Sequence, residues 1–155
     1  MKVEYINPFI EAAQGVFEAI LNIDAKLGKI NLKYSPFSVS SMVIMIGMVG
    51  EIRGQVCLEL TFETAEKIVS TMMGDIIVET MDEISKSAIA ELGNMIMGSA
   101  CTIFSKNKIN IDITPPAILT GDKINISNKA ATITIPMTLE NYGNININVT
   151  ADEML

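Results

Sequence analysis

Apolar and polar positions change period several times along the chain. Residues 8–21, PFIEAAQGVFEAIL, put Phe9, Ala13, Val16, Phe17 and Ile20 on one helical face, with Asn7 as the expected cap and Pro8 in the first turn. Lys29 to Lys33 reads as a short strand. Two apolar runs, SSMVIMIGMVG at 40–50 and QVCLELTF at 55–62, are joined by Gly50-Glu51-Ile52-Arg53-Gly54 and predict a hairpin. Helical spacing returns in TAEKIVSTMM, opened by Glu63 or Thr64, with Gly74 placed for a left-handed stop. Asp82 then caps a long helix from about Glu83 to Ser105. The last third contains IDITPPAILTG, KINIS, KAATITIPMTLE and NINVTA, rich in Ile, Thr and Val and broken by Gly, Pro and Asn, which is strand composition. This order predicts one α+β domain over residues 1–155: a largely antiparallel sheet with helices packed on one face. Each half is led by a helix, as in a diverged duplication.

The long helix carries an unusual polar face. In SAIAELGNMIMG, residues 87–98, Ser87, Glu91, Asn94 and Gly98 recur at i, i+4, i+7 and i+11 and stack in a single stripe. Ile89, Leu92, Ile96 and Ile103 point the other way. An exposed helix face is ordinarily laced with Lys and Glu pairs. Here it offers an acid, an amide and two small residues, beside Ala88, Ala90, Met95 and Met97. Asn7, Glu11 and Gln14 repeat the spacing in the first helix. The residue before a proline is biased out of helical geometry, so Asn7 reads as a cap and that set as structural.

Composition narrows the chemistry. A net charge of −7, no tryptophan and 5% aromatics argue against nucleic acid, which needs clustered cations or stacking platforms. The chain has no histidine, so neither a Ser-His-Asp triad nor histidine acid–base catalysis is available within it. Cys57 and Cys101 stand alone, which favours small buried or half-buried residues over a zinc site or disulfide framework. Neither cysteine is followed by a phosphate-cradling loop, and no GxxxxGK[ST] or GxGxxG occurs. No run reaches about 18 apolar residues and MKVEYINPF does not resemble a signal region, so a cytoplasmic protein without membrane insertion is expected. If the chain is an enzyme, much of its chemistry must come from the substrate.

The run Ser87-Ala88-Ile89-Ala90-Glu91-Leu92-Gly93-Asn94 resembles the S/D-x3-E-x2-N signature of the CheC, CheX and FliY phosphatases of bacterial chemotaxis. The Met72-Met73-Gly74 helix end, the ELGNM run, the IDITPPAILTG strand and the single copy of the motif make the chain similar to CheX in particular. The resemblance implies a phosphatase acting on phosphorylated CheY, whose aspartyl phosphate lies in a receiver domain that already holds Mg2+, a lysine and a hydroxyl. On that reading this chain needs no metal or cofactor. Asn94 orients an in-line water, because an amide accepts from the water and donates to the receiver without adding charge. Glu91 docks on the receiver lysine, and Ser87, Gly93 and Gly98 lie in the surface the receiver approaches. Two other readings stay open: a non-catalytic receiver-binding or flagellar-switch-like module, and a phosphatase for a receiver other than CheY. The resemblance also implies a homodimer, and TITIPMTLE and NINVTA carry few of the lysines or bulges that blunt an exposed strand edge.

Overall fold

The computed structural model describes residues 3–34 and 37–153. Its first helix, α1 (Val3–Leu21), starts well ahead of the expected cap, so Asn7 and Pro8 are both helical. Pro8, the sixth residue of the helix, forgoes the bond its N–H would make to the Glu4 carbonyl, and its ring crowds that carbonyl. Ile6, Phe9, Ala13 and Phe17 are buried, and that packing overrides the local bias against a helical Asn7. The second helix, α2 (Phe62–Met72), begins just ahead of the expected opening at Glu63 or Thr64, with the Thr61 side chain accepting from the Thr64 N–H. Gly74, at φ +79°, ends it as expected. Its N–H donates to the Thr71 carbonyl at 3.2 Å and that of Asp75 to Ser70 at 2.8 Å. The third, α3 (Glu83–Lys106), is capped by Asp82 as its sequence predicted.

The strands are β1 (Lys26–Leu27), β2 (Asn31–Lys33), β3 (Phe37–Gly50), β4 (Ile52–Leu60), β5 (Ile111–Ile113), β6 (Ala117–Ile126), β7 (Thr132–Leu139) and β8 (Gly143–Glu153). They form one sheet in the order β1-β7-β8-β4-β3-β5, with β2 also on β7 and β6 also on β3. Every pairing is antiparallel. IDITPPAILTG thus splits into β5 and β6, since Pro115 and Pro116 have no N–H to offer a ladder. The duplication is legible in the topology. Hairpin β3–β4 of one half lies beside hairpin β7–β8 of the other, and in each half the strand before the hairpin crosses over, β2 to β7 and β6 to β3. This overturns the expectation that TITIPMTLE and NINVTA are exposed edges. β8 is central, between β7 and β4, and β7 is covered by β1 and β2. Pro136 falls at the gap between those two short strands, where Gly28 N–H donates to its carbonyl at 2.8 Å.

All three helices pack on one face. Met42, Ile44, Ile46 and Met48 of β3, Val56, Leu58 and Leu60 of β4, and Ile145, Ile147 and Val149 of β8 form its buried floor with α1, α2 and α3 above. The opposite face is divided: Val43 and Met45 of β3 and Cys57 of β4 form a small apolar cluster with Ile124 and Ile126 of β6, while β2, β4, β7 and β8 carry polar side chains that satisfy one another. Thr134 Oγ1 donates to Asn148 Oδ1 at 2.7 Å, Asn146 and Asn148 amides donate to Glu59, and Lys33 pairs with Glu59 at 3.5 Å. Cys57 is buried beside them. Burial first, and the Glu59 carboxylate second, push its thiol up to about 11.

Helix α3 comes close to the sheet at Gly93. A Cβ there would lie 2.9 Å from Cγ2 of Ile44 and 3.2 Å from Cδ1 of Ile46, both buried branches with little room to move. At Gly98 a Cβ would meet nothing within 4 Å. Gly93→Val should therefore lower stability by about 1–3 kcal/mol through overpacking. Gly98→Ala should raise it by up to about 1 kcal/mol through helix propensity. Urea midpoints at constant m-value check both.

Candidate functional site

The site is built on α3, which is held rigidly at both ends. The Asp82 side chain accepts from the Ser85 N–H at 2.9 Å, and this bond to Ser85 holds its carboxyl below the usual aspartate range. Phe104 near the C-terminal end meets Phe9 of α1 edge to face, ring centroids 5.4 Å apart at 70°. Between these anchors Ile89, Leu92, Ile96 and Ala100 are fully buried, as the spacing predicted for the first three, while Ile103 is half-buried.

A helix whose inner face is fixed in this way presents a defined outer face. Ser87 and Glu91 are exposed, and Asn94 and Gly98 are half-buried, so the predicted stripe is one surface. Glu91 and Asn94 are one turn apart, about 4.5 Å along the axis. Among the described residues none of Ser87, Glu91 and Asn94 has a hydrogen-bond or ion-pair partner. These three side chains are free to engage something outside the chain.

Two expectations need correction. Gly93 does not face a partner: it is buried against Ile44 and Ile46, and its missing side chain serves the seating of α3. Met97, placed beside the stripe, is also buried, whereas Met95 is half-buried next to Asn94. Helix α1 carries Asn7, Glu11 and Gln14 in line after all, since Asn7 is helical. Its difference from α3 lies elsewhere: Gln14 Nε2 donates to the Ala25 carbonyl at 3.1 Å, so that amide fastens the chain leaving α1. The α3 stripe also runs further than the sequence reading took it. Ile84 stands 66% exposed in the first turn, and the seven-residue interval relating Ser87 to Asn94 also relates Ile84 to Glu91.

The stripe is convex. A cleft of about 770 Å³ lies elsewhere, lined by residues such as Leu21, Glu63, Lys67 and Tyr142, and contains neither Glu91 nor Asn94. A convex acid and amide cannot enclose a small molecule, but they can enter a cavity that another macromolecule supplies. Among the described residues no group of three or more His, Cys, Asp or Glu is gathered to hold a metal ion. Both cysteines are free, Cys57 buried and Cys101 half-buried. By length and composition α3 could cross a membrane, yet its inner face is packed on the sheet and its outer face carries Ser87, Glu91 and Asn94.

The sequence profile of the chemotaxis phosphatase CheX family matches residues 42–139, a span that includes all of α3. The CheY-P phosphatase CheX of Thermotoga maritima is 32% identical over 145 residues, covering 90% of each chain. Among solved structures, a CheC-like superfamily protein from Shewanella sp. PV-4 superposes with a TM-score of 0.87 at 27% identity, over 98% of this chain and 99% of that one. A chain of the CheX–CheY–BeF3–Mg2+ complex from Borrelia burgdorferi does so with a TM-score of 0.81 at 28% identity, over 98% and 100%. Sequence over nine-tenths of the length and fold over nearly all of it agree, and the chain belongs to the CheX family of chemotaxis phosphatases.

Proposed function

We propose that this chain is a cytoplasmic phosphatase that hydrolyses the aspartyl phosphate of phosphorylated CheY or a similar receiver domain. The observation that carries the reading is the pair Glu91 and Asn94, one turn apart on the convex face of α3 and without a partner inside the chain. The name of the Thermotoga relative and the presence of CheY in the Borrelia complex support the choice of partner.

In this mechanism α3 lies across the mouth of the receiver's phosphorylation site. Glu91 pairs with the receiver lysine, which sets how deeply the helix seats. The Asn94 carbonyl then accepts a hydrogen bond from a water while its NH2 donates to the phosphoryl group or its surroundings, aligning the water opposite the aspartyl oxygen. The water oxygen bonds to phosphorus as the P–O bond to aspartate breaks. The carboxylate leaves with the electron pair, and the water's proton passes to the phosphate product. The acyl phosphate is already reactive, so position is what the enzyme adds. Orienting one water supplies about 10² in rate, or about 2.7 kcal/mol. Mg2+ belongs to the receiver, and no metal or cofactor is assigned to this chain. Ser87 and Gly98 border the contact, Gly98 because no side chain intervenes between α3 and an approaching backbone.

Asn94→Ala should lower kcat by about 10² with KM little changed, because a water-orienting contact matters only on the way to the transition state. Glu91→Ala should raise KM severalfold as well as lowering kcat. Single-turnover phosphate release from purified phosphorylated receivers separates the two, and near wild-type turnover by Asn94→Ala would end the catalytic assignment and favour a binding module.

The doubly substituted Glu11→Ala, Gln14→Ala protein should keep full activity, with any loss confined to stability because Gln14 holds Ala25. A folded double variant without activity would mean that α1 works as a second site.

The homodimer is retained with a different edge. Among the described residues β6 pairs with β3 alone, so a two-fold mate can add across its other side and satisfy those backbone groups. Light scattering at micromolar concentration should give about twice 16.8 kDa, and a species of 16.8 kDa throughout would remove the dimer.

A further inference from the structure

The groups assigned to Glu91 and Asn94 are a lysine and an acyl phosphate, which receiver domains share as a class, so that pair cannot tell one receiver from another. Selection has to rest on a neighbouring contact of different chemistry. The stripe offers one. Ile84 precedes Glu91 by two turns, within about 20° around the axis and about 10.5 Å along it. It is 66% exposed, and Ile76 and Ile77 in the loop before it are 57% and 82% exposed.

The fold gives no internal reason for an isoleucine there. Ser85 takes the buried position of this turn, Asp82 caps it, and Glu83 pairs with Lys86 at 3.7 Å. A β-branched residue is a poor choice for an exposed helical position, and the equivalent turn of α2 uses Glu63. Nor is the preceding loop loosely collapsed: Ser70 Oγ donates to the Ile76 carbonyl at 2.6 Å and Asp75 N–H to the Ser70 carbonyl at 2.8 Å. These bonds fix the course of the backbone at Asp75 and Ile76.

Size and charge say what covers Ile84. A partner of ordinary interface size hides about 800 Å² on each side, a patch roughly 30 Å across. A receiver centred on Asn94 therefore reaches Ile84, about 15 Å away along the helix. Electrostatics offers little help in holding it. The chain carries −7, Glu79, Asp82 and Glu83 precede or open this end of α3 with Lys86 already paired to Glu83, and a phosphoryl group is itself anionic. One exposed lysine pair is a weak and screened anchor against that repulsion.

We infer that Ile84 is a specificity determinant of the proposed phosphatase, seating against an apolar side chain on the rim of the receiver's phosphorylation site. The inference rests on the reading of Glu91 and Asn94 given above. A receiver with a charged or polar residue at that rim position leaves it desolvated and unpaired against the isoleucine, and is rejected for that reason.

The test is steady-state dephosphorylation of a panel of purified phosphorylated receivers by the wild-type protein, Ile84→Ser, Ile84→Leu and Asn94→Ala. On the best receiver Ile84→Ser should raise KM about tenfold, the scale of one apolar side chain leaving an interface, with kcat within about twofold. The preference for that receiver over the next should narrow, and Ile84→Leu should restore it. The loss should persist in about 0.5 M salt, where the defect of Glu91→Ala shrinks. Unchanged kcat/KM and unchanged ranking for Ile84→Ser, beside an inactive Asn94→Ala, overturn the inference and leave the proposed function standing. A fall in kcat at constant KM overturns it too. A wild-type protein that accelerates no receiver overturns the proposed function, and the inference with it. Because Ile84 is exposed, matching melting curves establish that each variant is folded.

Discussion

The structure turns on how closely α3 lies against the sheet. Gly93 lets the helix backbone settle onto Ile44 and Ile46, with Leu58 just beyond, at a distance that no side chain at that position allows. Once this contact is made the rotation of the helix is fixed. Ile89, Leu92 and Ile96 fill the floor, and the opposite face can only be the one bearing Ser87, Glu91 and Asn94. An acid and an amide on a surface loop would wander by ångströms. On a helix packed against the sheet they are held in a fixed relation, which is what the proposed alignment of a water would require.

On the proposed reading that arrangement divides the chemistry between two proteins: a chain with no histidine supplies geometry, while the reactive bond and the cation would belong to the receiver. The comparison between α1 and α3 points the same way. Both helices carry a glutamate followed three residues later by an amide, Glu11 with Gln14 and Glu91 with Asn94. In α1 the amide is bonded to Ala25 within the chain; in α3 it is free. Two copies of one pattern have separated into a structural use and an outward one, by a single hydrogen bond.

Much of this was legible in the sequence where the signal is local. The period of residues 87–98, the cap at Asp82 and the stop at Gly74 each follow from one short stretch, and each held. What failed depended on distant residues. Pro8 reads as a helix start until Ile6 and Phe9 are known to be buried. The runs that became β7 and β8 read as edges because nothing in a strand's own sequence says which strands will flank it. Gly93 is a different case. It lies two residues after Glu91, about 200° around the helix, so the spacing already placed it on the core side. Its assignment to the surface came from its smallness, which is equally useful against a sheet and against a partner.

The interleaved strands constrain the order in which the chain can be made. The last strand, β8, lies in the middle of the sheet and closes the ladder from β4 to β7, joining Ile52 to Glu153 at one end. Until it arrives, β4 has an unpaired side along its whole length, and β2 has no β7 to lie on unless the second half has already emerged. The first half made on the ribosome is thus a hairpin with an open apolar floor, unable to finish by itself. Synthesis from one end to the other gives no staged folding here. The nascent chain must wait, shielded or at risk of pairing with a neighbour, for β8.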